Sequence, residues 1–175
     1  MRGTSKLAVA VIVMALGACD SSTERFRPLV VGEAVPAYAV RTLGGDSARV
    51  GAGEQLTLLN LWATWCGPCE KEFPDLERLR RDYEPKGLRV LAVSVDLGDD
   101  AKVREFARNH GAGFTIGRDP DGSAQRLFQT VGLPETFLIA SDGTLLWRHF
   151  GALSPGAVTA RREIDRAMGG SGRAE

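Results

Sequence analysis

Apolar residues change rhythm several times along this chain, and each change marks an element. Leu56–Trp62 is almost continuously apolar, as a central strand buried on both faces requires. Directly after it, Phe73, Leu76, Leu79 and Tyr83 recur at helical spacing, predicting a helix from Cys66 to about Tyr83 with a kink at Pro74. Leu88–Val95 is a second buried strand, and strand, helix and strand of these lengths form a right-handed βαβ unit. Val103, Phe106, Ala107 and His110 share one face of a helix over 99–110, with acidic residues at its start and Gly111 past its end. Phe114–Ile116 is a short strand, and Ala124, Leu127, Phe128 and Val131 predict a helix over 123–131.

Two hairpins bracket this core. Tyr38–Val40 and Ala48–Val50 flank Gly44-Gly45-Asp46, and Thr136–Ala140 and Thr144–Phe150 flank Ser141-Asp142-Gly143. The second turn lacks the spaced acidic ligands of a calcium loop. A closing helix starts with Ser154 as N-cap and Pro155 at the first helical position, lined by Ala157, Ala160, Ile164 and Met168. The expected fold class is α/β: a mixed sheet flanked by helices.

The ends follow different rules. Arg2 and Lys6 precede an apolar run, Leu7–Leu16, too short to span a hydrocarbon core, and Leu16-Gly17-Ala18 leads into Cys19. This segment resembles a bacterial lipoprotein signal, which implies cleavage before Cys19 and lipid on its sulfur. Cleavage after Ala15, leaving Cys19 as a free thiol, or an uncleaved anchor are the alternatives. The expected organisation is a signal peptide over 1–18, a polar tether over 19–27, a folded domain over 28–168 and a flexible tail over 169–175. The 175 residues suffice for one domain but not two. Without residues 1–18, 20 basic side chains face 22 acidic ones, a balance that points to no nucleic-acid partner.

The chemistry concentrates in Trp65-Cys66-Gly67-Pro68-Cys69, placed between the first buried strand and its helix. Two cysteines separated by two residues at a helix start can close a reversible disulfide, and the unpaired N–H groups there favour a thiolate. Structural zinc needs four ligands, and only His110 and His149 remain. Covalent haem needs His after the second cysteine, where Glu70 stands. No metal and no cofactor is therefore expected, and both histidines read as structural.

Asn60–Pro74 (NLWATWCGPCEKEFP) resembles the active-site block of the TlpA/ResA/CcmG branch of the thioredoxin superfamily. Gly132–Ile139 (GLPETFLI) resembles its second block, and Arg148-His149-Phe150-Gly151 with Leu153-Ser154 extends it. The resemblance covers about residues 30–168. It implies a thioredoxin-like fold with an N-terminal hairpin extension and an inserted helix. It also implies a membrane-tethered thiol:disulfide oxidoreductase facing the periplasm or cell exterior, in a branch many of whose members serve cytochrome c maturation. Gly67-Pro68 is the thioredoxin dipeptide and favours a reductant.

Residue roles follow from the resemblance. Cys66 is the nucleophile and Cys69 the resolving thiol. Pro134 is cis beside them, leaving the Leu133 backbone free to pair with a substrate strand. Trp65 shields the pair, a role compatible with that of an ordinary core aromatic. Glu72 lies one turn past Cys69 and can relay its proton; the alternative is a solvated helix charge. Asn60 stands where cytoplasmic thioredoxins carry a titratable Asp. Implied partners are protein disulfides, including apocytochrome c, and a membrane electron donor of the thiol-reductant type, with the chain a monomer on its lipid anchor. Two other classes compete: a thiol peroxidase of the peroxiredoxin type, though Ala63 occupies its Thr/Ser place, and a non-catalytic metal- or haem-handling module.

Overall fold

A computed structural model describes residues 29–153 and 155–170. The signal segment, Cys19, the tether, the Ser154 cap and residues 171–175 lie outside the described residues. In chain order the elements are β1 (Tyr38–Thr42), β2 (Ser47–Val50), β3 (Thr57–Trp62), α1 (Gly67–Tyr83), β4 (Arg89–Ser94), α2 (Asp100–Asn109), β5 (Thr115–Arg118), α3 (Ser123–Leu127), β6 (Glu135–Ile139), β7 (Leu145–Phe150) and α4 (Val158–Gly170). The strands form one mixed sheet in the order β2-β1-β5-β4-β3-β6-β7, and β3, β4 and β5 run parallel. This is a thioredoxin-like fold with an added N-terminal hairpin.

The two-residue period of β3 decides what faces what. Leu58 and Trp62 enter the layer beneath α1, α2 and α4, where they meet Phe73, Leu76, Val103 and Ile164. Leu59 and Leu61 enter the opposite layer with Tyr38, Val40, Phe128 and Phe137. By the same alternation Asn60 points to the α1 side. Trp62 packs edge-on against Phe73 at 4.6 Å between ring centroids and lies 5.1 Å from Phe106. The outer edge of β7 is partly covered where Gly32 donates to the Leu145 carbonyl and Val35 to that of Gly143, which blunts open pairing there. Gly143 itself has φ 88°, and a Cβ there would lie 2.7 Å from the Ala52 nitrogen, so this turn admits only glycine.

Several boundaries depart from the sequence pattern. α3 stops at Leu127 instead of Val131 because Gln129 takes φ 51°, and Thr130 N–H closes back on the Gln125 carbonyl. Val131 is consequently 79% exposed and not a core position. β5 begins one residue later than Phe114 and runs on to Arg118. Pro155–Ala157 forms a separate 3₁₀ turn, broken from α4 by Gly156 at φ 76° and Ala157 at φ 51°, so the helix proper starts at Val158. It then runs through Gly169 and Gly170. Pro74 sits inside α1 without ending it.

α4 docks through Ala160 and Ile164, which are 1% and 0% exposed. Ile164→Ala is expected to cost about 2–5 kcal/mol of stability, measured by urea unfolding of the oxidised protein.

Candidate active site

β3 ends at Trp62, and the chain reaches α1 through Ala63, Thr64 and Trp65. Cys66 is the N-cap of α1, its Sγ accepting from the Cys69 N–H at 3.2 Å, and Pro68 occupies the first turn, where a missing N–H is no loss. The two cysteines are joined by a disulfide, with Cα atoms 5.2 Å apart. Cys66 is 6% exposed and Cys69 fully buried, so the sulfur nearer solvent is also the one at the helix end that favours a thiolate.

Glu72 lies on the buried stripe of α1, with Cys69 and Leu76 on either side of it. It is fully buried, which removes the alternative of a solvated helix charge. Asn60 Nδ2 donates to Oε1 at 2.8 Å, and the Leu153 backbone N–H donates to Oε2 at 3.0 Å. Loss of water pushes its pKa up from 4.5 to about 7, while the Leu153 and Asn60 donors pull the other way. A carboxyl that titrates near neutrality beside a buried cysteine can take up or give back a proton. Asn60 also donates to Thr136 Oγ1 at 3.1 Å, and its own Oδ1 is buried without a partner.

A second carboxylate supports the loop before Cys66. Asp96 follows β4 and is 4% exposed. Its oxygens accept from Thr64 N–H at 2.9 and 3.2 Å, from Thr64 Oγ1 at 2.6 Å and from Ser94 Oγ at 2.8 Å. Sequence reading did not single out Asp96. Its place just past the carboxyl end of a buried parallel strand is the signal that could have found it.

The opposite wall comes from the α3–β6 segment. The β3–β6 register, Leu61 opposite Glu135, carries Pro134 to the level of Trp62, where the active-site loop departs. The Leu133–Pro134 peptide is cis, and Leu133 makes no backbone hydrogen bond among the described residues. Glu135, 1% exposed, accepts from Arg148 Nε at 2.5 Å, and its other oxygen has no partner. Gly132 lies close under the Phe150 ring, which would have to shift to admit a Cβ there.

Trp65 is 69% exposed, which removes the core-aromatic alternative to its shielding role; Trp62 fills that place. Trp65 instead joins Leu97, Val131 and Phe150 as large apolar side chains open to solvent at this end of the sheet. His110 stacks on Phe106 and meets Glu70 Oε1 at 3.1 Å, while His149 stacks on Trp147. Among the described residues no group of three or more His, Cys, Asp or Glu side chains could hold a metal ion.

Residues 31–148 match the profile of the AhpC/TSA family. The chain is 32% identical over 120 residues to the thiol-disulfide oxidoreductase ResA of Bacillus thuringiensis, covering 66% of this chain and 67% of that protein. It is 31% identical over 142 residues to the thiol:disulfide interchange protein CycY of Rhizobium leguminosarum, covering 78% and 73%. Among solved structures, a Chlorobium tepidum protein assigned as the thiol:disulfide interchange protein DsbE superposes with TM-score 0.71 at 30% identity, over 80% of this chain and 99% of that one. StoA of Bacillus subtilis, at 22% identity and TM-score 0.63 over 75% and 99%, shares the fold.

The pKa of Glu72 makes stability depend on pH. An acid whose pKa rises on folding adds most stability below its unfolded value of 4.5, and that contribution is lost as pH climbs through about 7. The full loss is about 3 kcal/mol. Glu72→Gln is expected to remove most of this slope, seen as a smaller difference between urea unfolding curves at pH 5 and pH 8. Identical slopes in wild type and variant would show that Glu72 does not titrate in this range.

Proposed function

We propose that this chain, which belongs to the AhpC/TSA family and is a thiol:disulfide oxidoreductase of the TlpA/ResA/CcmG-like kind, works outside the cytoplasm as a reductant of protein disulfides. The observation that carries the reading is the Cys66–Cys69 disulfide at the start of α1, at the level of a cis proline whose preceding residue has no backbone partner among the described residues. An extended substrate can add to Leu133 as a strand and so bring its own disulfide to Cys66.

In the reduced protein the Cys66 thiolate attacks one sulfur of the substrate disulfide, and the other leaves as a thiolate. Cys69 then loses its proton and attacks Cys66 Sγ, which closes the intramolecular disulfide and frees the second substrate thiol. Each turnover passes two electrons and two protons to the substrate. Glu72, one turn from Cys69, is placed to hold the proton that Cys69 gives up. A membrane thiol donor restores the dithiol, and apocytochrome c is a substrate of the right chemistry.

Location rests on the N-terminal pattern. The positively charged start, the apolar run and Leu16-Gly17-Ala18-Cys19 support export and a lipid anchor on Cys19. No helix of the described residues is long and apolar enough to cross a membrane.

Cys66→Ser is expected to abolish reduction of insulin disulfides, and Cys69→Ser to accumulate mixed disulfides with substrate. Equal trapping by both variants would overturn the assignment of nucleophile and resolver. The wild type is expected to leave hydrogen peroxide unconsumed; rapid consumption would favour a thiol peroxidase instead.

Separately, the full chain is expected to fractionate with membranes and Cys19→Ala to release it. Mass spectrometry showing an unmodified Cys19 in the mature protein would sink the anchor.

A further inference from the structure

The segment that carries Cys66 lies outside the sheet ladder, yet it is held. Between β3 and α1 the only described bond to the Thr64 backbone N–H comes from Asp96, which also takes the Thr64 hydroxyl. Every group that reaches the Asp96 oxygens is a donor, so the carboxylate acts purely as acceptor. Ser94 spends its hydroxyl proton on Asp96 and accepts from Arg118 Nη1 at 2.8 Å, which joins the two charges through one oxygen. Arg118 in turn donates to the Asp96 carbonyl at 3.1 Å and to Asp100 Oδ1 at 2.8 Å, in the first turn of α2. Asp100 Oδ2 is held by Arg41 of β1 at 2.8 Å. A continuous chain of charge-assisted bonds therefore runs from two residues before Cys66, across β4 and β5, to the start of α2.

We propose that Asp96 is a positioning residue for the redox pair: through Thr64 it fixes the loop that presents Trp65 and Cys66, and its charge biases the dithiol–disulfide equilibrium. The inference rests on the Cys66–Cys69 pair being the redox couple. A fixed negative charge beside the loop opposes the Cys66 thiolate, which is the species that stabilises the reduced form. Taking the charge away while keeping the shape should therefore favour the dithiol. Arg118 and Asp100 keep that carboxylate in place, so α2 serves as a brace for the site.

The test is equilibration of the full chain with glutathione buffers, together with thiolate absorbance titration of the reduced protein. Asp96→Asn retains an acceptor for the Thr64 N–H and loses the charge. It is expected to shift the equilibrium about tenfold toward the dithiol, equal to about 30 mV, and to lower the pH at which the Cys66 thiolate appears. Thr64→Val keeps the Asp96 charge and removes one of its donors, so it is expected to move both readouts the opposite way, and Thr64→Ser to keep wild-type values. A purely structural role would lower the melting temperature and leave both readouts unmoved; that result overturns the proposal. Should Asp96→Asn fail to fold, the Thr64 pair decides alone, since Thr64→Val removes the hydroxyl bond to Asp96 at nearly constant shape and Thr64→Ser keeps that hydroxyl. Wild-type protein that reduces no insulin would instead refute the redox function itself, whatever the variants do.

Discussion

A carboxyl group sealed from water must be met by donors or surrender its charge, and Glu72 is met from two distant parts of the chain. Asn60 reaches it from the middle of β3, and the Leu153 N–H reaches it from the loop after β7. Those two bonds are not enough to offset burial, so its pKa rises to about 7. The arrangement depends on the sheet being in register. A one-residue slip of β3 would turn Asn60 to the opposite layer and leave the carboxyl beneath α1 with one donor fewer.

The first turns of α1 thus hold two opposed electrostatic environments a few ångströms apart. At Cys66 the free N–H groups of the helix end draw in negative charge. Around Cys69 and Glu72 there is no solvent, and two negative charges there would repel strongly. Such a gradient suits the proposed exchange, in which the outer sulfur is the thiolate and the inner one stays protonated until it attacks. Trp65, Leu97, Val131 and Phe150 stay exposed at this end of the sheet and contribute nothing to the protein's own core.

Much of this was legible in the residues, for identifiable reasons. β3, β4 and α1 have dense apolar runs, so the burial of their apolar residues and their secondary structure agree. The Cys66–Cys69 spacing and the Pro134 block carry chemistry in contiguous residues, which a linear reading can see. What escaped depends on the third dimension. Trp65 and Trp62 are three apart and equally apolar, yet only Trp62 lies on the strand and faces α1. The 123–131 helix was cut short by Gln129 adopting a conformation its type does not announce. Asp96 looks like any acidic residue before a loop until Thr64 is folded against it. Leu153 contributes a backbone N–H, a group every residue except proline has, so no pattern of side chains could mark it.

That last bond also bears on where the working unit ends. The matched family span closes at residue 148, inside β7, and every cysteine of the pair lies well before it. Leu153, the turn at Pro155–Ala157 and the buried face of α4 all come afterwards, and Leu153 completes the carboxyl's set of donors from there. A fragment trimmed to the shared span would keep both sulfurs, the cis proline and most of the sheet, while stripping Glu72 of a donor and opening it to water. For anyone cutting, fusing or grafting this domain, the end of that family profile is not the end of the active site, which lies further along the chain.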